Sequence, residues 1–225
     1  MSSGDAMRCM GESRTGRGRD HRRVTMNPTS KVTTGASVSL DGYIAGPGES
    51  GFEHLFAYMG NGDVEVPTAQ PEMTLRMTPE NAQFQRDLVA RTGAIVVGRH
   101  LYDMTQAWGG THPMGCPVVV LTHEAPAEAP SDQFHFVTGG ITEAVATASR
   151  LAEGKEVGLN AGQMARQALA AGLLDEVWIS LVPVFLGGGK PFFPDLAGDA
   201  PLLLDGPEVT VGTGVTHLRY QVRRG

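Results

Sequence analysis

Residues able to bind an anionic ligand follow two short apolar segments of the chain. Gly98-Arg99 comes directly after Ala94–Val97, where glycine lets the backbone approach a ligand closely and the guanidinium offers a planar fork that fits a phosphate. Thr122 follows Pro117–Leu121, and its hydroxyl and backbone N–H can hold a second face of the same phosphate. Each pattern is also typical of an ordinary turn, the first with a solvated cation.

A third pattern of this kind is a strand-to-helix turn. Asn160-Ala161-Gly162 links a short apolar run to a helix predicted from Gln163 to Ala171. Such a turn presents free N–H groups and the positive end of the helix dipole to a ligand. The segment matches neither the dinucleotide fingerprint nor the P-loop, so motif matching assigns no nucleotide-binding class.

Other chemistry finds little support in the sequence. No Ser/His/Asp order or nucleophile elbow is present, and the histidines are dispersed without metal-ligand spacing, so no metal site is expected. Cys9 and Cys116 form no CxxC pair and no disulfide framework. Gly187–Lys190 has the look of a phosphate loop without its hydroxyl residue, and we interpret it as a turn that returns Phe192 and Phe193 to the core.

Composition narrows the class of protein. The chain has 225 residues, 41% of them apolar, with 18 basic and 24 acidic side chains and a net charge of −6. Such a balance disfavours nucleic acid as a partner, and no run reaches the roughly 18 apolar residues of a membrane span. We expect a cytoplasmic protein with reduced thiols. Residues 1–25 contain six arginines and little apolar content, which predicts a disordered basic tail or a segment upstream of a true start at Met26; a basic arm touching nucleic acid is the alternative.

The elements that must position these residues alternate between strands and helices. Strands are predicted at residues 31–39 with 43–45, 94–97, 117–121, 134–137, 156–159, 176–182, 209–211 and 215–222, and helices at residues 78–91, 142–152 and 163–171. This alternation predicts that residues 26–225 form a single α/β domain, with a central mostly parallel sheet and an antiparallel C-terminal edge. Ligands bind at the carboxyl ends of such strands. The Gly- and Pro-rich connection at 46–71 is predicted to be a loop able to close over the site.

Motifs in a characteristic order resemble the dihydrofolate-reductase-like superfamily. They are Ser39-Leu-Asp-Gly-Tyr-Ile-Ala45, Val97-Gly-Arg-x-x-Tyr-Asp103, Pro117-Val-Val-Val-Leu-Thr122, and Gly172-Leu-Leu-Asp-Glu176 followed by Pro183-Val-x-Leu-Gly-Gly-Gly189 and Phe192-Phe193. The resemblance covers about Val32 to Arg223. Within the superfamily the chain is most similar to stand-alone relatives of the reductase domain of the bifunctional riboflavin-biosynthesis deaminase/reductase. This implies a three-layer α/β/α fold and NADPH as hydride donor.

Carried over by position, several of the family's cofactor contacts fall on residues already singled out. Arg99 and Thr122 would hold the 2′-phosphate of NADPH, next to Gly98. The other contacts would come from the backbone, which meets the pyrophosphate at Gly162, Gln163 and Met164 and the nicotinamide carboxamide at Ser37 and Ile44.

The chain departs from the family pattern at the pyrophosphate turn and in a stretch that bears on the substrate. Ala161-Gly162 stands where Gly-Gly is common, which is tolerable unless Ala161 needs a positive φ. Thr105–Gly110 replaces the Asp-Asp-Pro-x-Leu stretch of riboflavin-pathway reductases, so a ribosyl-phosphate substrate is not implied. Trp108 within it could stack on a flat ring or pack in the core or at a dimer interface.

The catalytic acid has two candidates. Dihydrofolate reductases use a carboxylate near the start of the helix before the Gly-Arg strand, where it grips the amidine edge of the pterin. Glu80 is the positional equivalent, and its alternative role is to stabilise the helix dipole. Asp41 could serve a substrate donor group, although an Asp-Gly pair is typical of a turn.

These features predict an NADPH-dependent reductase of a pterin- or pyrimidine-like heterocycle, related to 5-amino-6-(5-phosphoribosylamino)uracil reductase. Genuine dihydrofolate reduction and a nucleotide-binding protein without catalysis are the alternatives. The expected partner is a small heterocyclic substrate, and the apolar C-terminal strands allow a homodimer.

Overall fold

The computed structural model describes residues 30–194, 196 and 201–223, so the predicted tail at residues 1–25 lies outside the described residues. The strands are β1 (Val32–Ser39), β2 (Tyr43–Ala45), β3 (Val64–Pro67), β4 (Thr74–Met77), β5 (Thr92–Gly98), β6 (Val118–Leu121), β7 (Phe134–Val137), β8 (Glu156–Leu159), β9 (Glu176–Val182), β10 (Lys190–Pro191), β11 (Leu204–Gly212) and β12 (Val215–Val222). The helices are α1 (Phe52–Leu55), α2 (Pro79–Arg91), α3 (Arg99–Met104), α4 (Ile141–Leu151) and α5 (Gln163–Ala170), with 3₁₀ turns at Ala57–Gly60 and Gln106–Gly110.

One large sheet organises the molecule, with its strands in the order β11-β12-β9-β1-β8-β5-β6-β7. The six strands from β9 to β7 are parallel to their neighbours, whereas β12 pairs antiparallel with both β9 and β11. Parallel strands need crossover connections, and the helices that supply them cover the sheet. The predicted α/β fold with a mostly parallel sheet and an antiparallel C-terminal edge is confirmed.

Alternation of side chains along the strands divides the core between two faces of the sheet. Val96 belongs to an apolar cluster with α4 and α5, whereas its neighbour Val97 belongs to a cluster with α3 and the turn at Gln106–Gly110. On this second face α2 packs farther along the sheet, where the Phe84 ring meets Trp178 of β9 edge-to-face. The result is a sheet between two layers of helices.

The sequence pattern did not predict α3, β4 or β10, and two further segments differ from expectation. The predicted loop at 46–71 contains α1, a 3₁₀ turn and β3, each four residues long and too short to show a periodic pattern. β3 pairs with β4 in a separate two-stranded ribbon. The C-terminal hairpin begins at Leu204 rather than Val209, because β11 continues beyond a register shift between Asp205 and Glu208.

The described ranges contain neither a membrane-spanning helix nor a metal-binding cluster. No helix there is long and apolar enough to cross a membrane. No group of three or more His, Cys, Asp or Glu side chains in those ranges is placed to hold a metal ion. Cys116 is a free thiol, and its burial raises its pKa to about 11.

Candidate functional site

Three neighbouring strand ends meet at one edge of the sheet. β8, β5 and β6 are adjacent and parallel, so the residues that follow them lie side by side. β5 ends at Gly98 in register with Leu121 of β6, and the amide of Asn160 after β8 donates to the carbonyl of Val96 at 3.0 Å. The three segments proposed to bind an anion therefore gather at the same carboxyl edge.

The Arg99 guanidinium lies beside the turn that follows β6. Its Nε donates to the Asp103 carboxylate at 2.8 Å and its Nη1 to the carbonyl of Glu124 at 3.3 Å. Thr122 Oγ1 donates to the same carbonyl at 2.9 Å, so Arg99 and Thr122 converge on one backbone group. Hydrogen bonding to Asp103 raises the pKa of Arg99, and 43% of its side chain is exposed, so a permanent charge faces solvent here.

The backbone conformation at position 98 does not require a glycine. Its φ of −81° and ψ of 156° are accessible to any residue. A Cβ at this position would meet only Met164 Cγ and Sδ, at 3.9 and 4.0 Å, which is ordinary contact. The open space beside Gly98, next to the Arg99 charge, fits the close approach of a ligand to the backbone.

Gly162, in contrast, is required by the backbone. Its φ of 80° and ψ of −138° are conformations that glycine adopts readily and other residues avoid. Its amide donates to the carbonyl of Phe192 at 2.8 Å, so the predicted pyrophosphate contact through this N–H is already used within the chain. Helix α5 begins at Gln163, and Met164 lies in its first turn. Ala161 is not among the residues with positive φ, so alanine is tolerated there.

β1 and β8 separate close to this turn. Their ladder covers three residue pairs and ends at Thr34–Leu159, although β1 continues beside β9 to Ser39. The carbonyl of Lys31 accepts from the second residue of β8, which sets the odd-numbered residues of β1 facing that strand. The backbone of Ser37 therefore faces the gap that opens between β1 and β8.

Ile44 lies at the same edge. Its Cδ1 is 3.8 Å from the position that a Cβ on Gly162 would occupy. Ser37 and Ile44, the predicted nicotinamide contacts, are thus brought near the turn predicted to bind the pyrophosphate. Their binding roles remain predictions.

A buried polar network stands beside the gap. Ser37 Oγ is 3.1 Å from the hydroxyl of Tyr58, whose burial raises its pKa. The Tyr58 ring meets His217 edge-to-face, with centroids 5.6 Å apart. His217 Nδ1 is 2.8 Å from Ser180 Oγ, and its Nε2 is 3.3 Å from Asn81 Oδ1. This network joins β1, β9 and β12 to the first turn of α2.

Asp41 holds a turn together in the structure. Its carboxylate accepts from Ser39 Oγ at 2.6 Å, from the amide of Leu186 at 3.1 Å and from the amide of Gly187 at 2.8 Å. The hydrogen bond from Ser39 is the main reason that the pKa of Asp41 is lowered. These contacts agree with the turn interpretation, and a catalytic role for Asp41 remains a prediction.

Glu80 is not brought together with the strand-end residues. It is exposed and lines a groove of about 620 Å³ formed by α2, β11 and β12. The next residue, Asn81, is fully buried and faces the sheet, where its Nδ2 donates to the carbonyl of Thr213 at 3.2 Å. The first-turn side chain that faces inward is therefore an amide, which sequence reasoning missed because it followed the carboxylate.

A smaller cavity of about 130 Å³ lies beside the gap, on the face covered by α2. Gly35 and Gly158 floor it, Trp178 and His112 contribute to its wall, and Asn160 lies where β8 ends. A Cβ on Gly35 would come within 1.9 Å of the Trp178 ring, so this glycine makes room for the indole. No carboxylate is among the lining residues. An isolated glycine in a strand was the signal that could have located this cavity.

The sheet order, the helices on both faces and the carboxyl-edge site together define a dihydrofolate-reductase-like fold. Dihydrofolate reductase from Enterococcus faecalis, complexed with NADP(H) and RAB-propyl, is similar with a TM-score of 0.53 and 13% identity, covering 86% of this chain and 97% of its own.

The chain belongs to the RibD C-terminal domain family, whose model matches residues 30–215. A protein from Shewanella sp. PV-4, provisionally assigned to riboflavin biosynthesis, is similar with a TM-score of 0.64 and 24% identity over 86% of this chain and 99% of its own. A Thermotoga maritima diaminohydroxyphosphoribosylaminopyrimidine deaminase/5-amino-6-(5-phosphoribosylamino)uracil reductase is similar with a TM-score of 0.54 and 13% identity, covering 86% of this chain and 57% of that chain. No curated protein sequence matches the chain. Family membership and fold indicate a reductase family.

Proposed function

We propose that this protein is an NADPH-dependent reductase that transfers a hydride to a small pyrimidine- or pterin-like heterocycle. One observation carries the proposal: the strand ends with the Arg99 cation and the Thr122 hydroxyl lie on the same sheet edge as the gap between β1 and β8, next to a ring-sized cavity. A dinucleotide along this edge would reach from the charged strand ends to the cavity.

The residues at this edge fit the cofactor. Arg99 carries a permanent charge and Thr122 a hydroxyl, which suits the 2′-phosphate, and the space beside Gly98 admits the ligand to the backbone. The first turn of α5, which contains Met164, would direct the positive end of the helix dipole at the pyrophosphate. When bound, NADPH would supply the hydride.

The protein's remaining contribution is to orient the reacting ring and to exclude water. The backbone of Ser37 faces the gap and can hydrogen-bond a carboxamide, and the Tyr58 contact fixes the Ser37 side chain. Glu49, in the loop after β2, pairs with His100 of α3 at 2.5 Å and accepts from Lys190, so the loop lies across the start of α3. This loop can shield the edge from solvent.

The cavity favours a neutral single ring over a pterin held through its amidine. The family resemblance implies that dihydrofolate reduction uses a carboxylate that binds this amidine. The cavity lining contains no carboxylate, and Glu80 lies in the other groove. The volume of about 130 Å³ is also below the range of pockets for drug-sized ligands, about 300 to 1,000 Å³. The riboflavin-type reaction is therefore the better supported of the two.

Arg99→Ala tests the cofactor assignment. Loss of a charged hydrogen bond to the 2′-phosphate should weaken NADPH binding about tenfold to hundredfold and leave NADH binding nearly unchanged. Arg150→Ala, which removes an exposed arginine on α4, is the matched control and should change neither affinity. Titration of intrinsic fluorescence with each cofactor measures both. Equal losses for NADPH and NADH in Arg99→Ala would refute the 2′-phosphate role.

Turnover separates an enzyme from a binder. NADPH oxidation should be observed with at least one heterocycle in a panel of pyrimidines and pterins, beginning with aminouracil derivatives. NADPH binding without oxidation by any of them would instead support the nucleotide-binding protein without catalysis.

A further inference from the structure

The segment between α3 and β6 has an unusual backbone. Gln106, Ala107 and Trp108 have φ values of 51°, 53° and 51°, in the left-handed region. This conformation is energetically costly for non-glycine residues, so it persists only where the surroundings impose it. It falls within Thr105–Gly110, the stretch that departs from the riboflavin-pathway pattern.

Side chains from distant segments hold this strained turn in place. Gln70 Nε2 donates to the carbonyls of Trp108 and Thr111 at 2.7 and 2.8 Å. Ser131 Oγ donates to the carbonyl of Gly110 at 2.7 Å. The chain that leaves the turn is thereby given a fixed direction, and His112 follows directly after Thr111.

His112 is itself held by contacts on two sides. Its amide donates to Gln133 Oε1 at 2.6 Å. The Trp108 ring meets the imidazole edge-to-face, with centroids 4.5 Å apart. The amide of Met114 donates to His112 Nδ1 at 3.2 Å, which makes Nδ1 an acceptor. In the neutral ring the proton must then be on Nε2.

The second nitrogen of His112 is available to a ligand. In residues 30–194, 196 and 201–223, no hydrogen-bond partner contacts Nε2. Burial lowers the pKa of His112 to about 4, so the ring is neutral near pH 7 and Nε2 is a donor without charge. His112 lines the same cavity as Gly35, which precedes Ser37 by two residues on one face of β1, or about 7 Å along the strand.

We propose that His112 is a specificity-determining residue that donates a hydrogen bond from Nε2 to a carbonyl oxygen or ring nitrogen of the substrate ring in this cavity. The proposal rests on the reductase function and names its substrate class, a neutral flat ring with an acceptor at its buried edge. A neutral donor cannot neutralise an amidinium, whereas it satisfies a carbonyl. The strained turn serves to aim this donor.

Binding to the cofactor complex tests the proposal without turnover. The full chain saturated with NADP⁺, which cannot donate a hydride, is titrated with uracil and separately with 2,4-diaminopyrimidine in a calorimeter. Uracil should bind the wild type, and 2,4-diaminopyrimidine should bind at least about tenfold more weakly. His112→Leu should weaken uracil binding about tenfold or more, because the substrate acceptor is left unpaired, and His112→Gln should recover part of the loss.

Two further variants make the test specific to the cavity. Gly158→Ala adds a methyl to the cavity floor with contacts of 3.4 and 3.7 Å to Ile95 and Thr92 side chains, so it should fold and weaken uracil binding. His112→Glu should shift the preference towards 2,4-diaminopyrimidine. Histidine ¹⁵N spectra provide an independent signal, since uracil should move the His112 Nε2 resonance and leave that of His217 unchanged.

The outcomes distinguish this proposal from the proposed function. NADP⁺ binding that is lost in Arg99→Ala, together with uracil affinity equal in wild type, His112→Leu and Gly158→Ala, would overturn the His112 role and leave the reductase assignment standing. Absence of uracil binding by the NADP⁺ complex would also overturn it. Absence of NADP⁺ and NADPH binding by the wild type would overturn the proposed function, and the substrate role of His112 with it.

Discussion

The two concave regions on the α2 face of the sheet differ in size and in position. The groove between α2 and the β11–β12 hairpin has about 620 Å³ and contains Glu80. The cavity floored by Gly35 and Gly158 has about 130 Å³ and no carboxylate. Only the smaller one has β1 and β8 in its lining, beside the gap where these parallel strands separate. In this kind of sheet, the position of a cavity relative to the strand ends, rather than its volume, indicates whether the cavity lies at the edge where ligands bind.

Each region also contains a histidine whose pKa burial lowers to about 4. His217 has protein partners at both ring nitrogens, Ser180 and Asn81. His112 has a protein partner at Nδ1 alone among the described residues. The first is therefore a structural imidazole, and the second is suited to meet a ligand. Four predictions test this contrast, in order of expected effect.

The largest effect is expected from Gly35→Ala. The new Cβ would lie 1.9 to 2.4 Å from atoms of the Trp178 indole, so the ring must move and the cavity wall with it. Overpacking of this kind should lower the free energy of unfolding by about 3 kcal/mol. Urea unfolding measures it, with Gly158→Ala as the control that should lose much less. Equal losses in the two variants would show that Trp178 does not depend on Gly35.

Acidification should destabilise the protein through the two buried histidines. Below their ordinary pKa of 6.5 the unfolded chain binds protons that the folded chain refuses until about pH 4, so unfolding is favoured as pH falls through this window. Each histidine should contribute at most about 1.4 kcal/mol per pH unit. His217→Gln should reduce the slope of stability against pH between 6.5 and 4. An unchanged slope would mean that His217 titrates normally in the folded state.

Gly98→Ala should separate stability from binding. The methyl has room in the folded chain, so the free energy of unfolding should change by less than about 0.5 kcal/mol. NADPH binding should weaken about tenfold if the cofactor approaches the backbone here. Chemical unfolding and cofactor titration of the same preparation give both numbers. A loss of stability without a loss of affinity would contradict the ligand explanation for this glycine.

The smallest effect is expected from Glu80→Gln. Glu80 is exposed in the larger groove, so the change should alter the turnover of NADPH by less than about twofold. Asn81→Ala is the comparison, since it breaks a buried network and should destabilise the fold by about 1–3 kcal/mol. Steady-state kinetics decide the matter, and a large loss of kcat in Glu80→Gln would restore Glu80 as the catalytic acid.

Much of the fold follows from local patterns. Apolar runs such as Val118–Leu121 identify buried strands, and Thr78-Pro79 marks the start of α2 at the correct residue. Order along the chain, together with the rule that ligands bind at carboxyl strand ends, was enough to bring Arg99 and Thr122 to one edge. The short elements between Gly46 and Pro71 were missed because four residues show no period.

The sequence by itself thus determined which segments become most of the strands and helices, and that a glycine and a cation stand at the carboxyl end of the strand that finishes at residue 98, because these properties depend on residue type and local spacing. The tertiary structure alone decided which side chains line each concave region. Successive residues of a helix point about 100° apart, so packing turned Asn81 inward and left Glu80 outside. It also turned His112 toward a cavity whose floor, wall and gap come from strands far apart in the chain, which no local pattern can report.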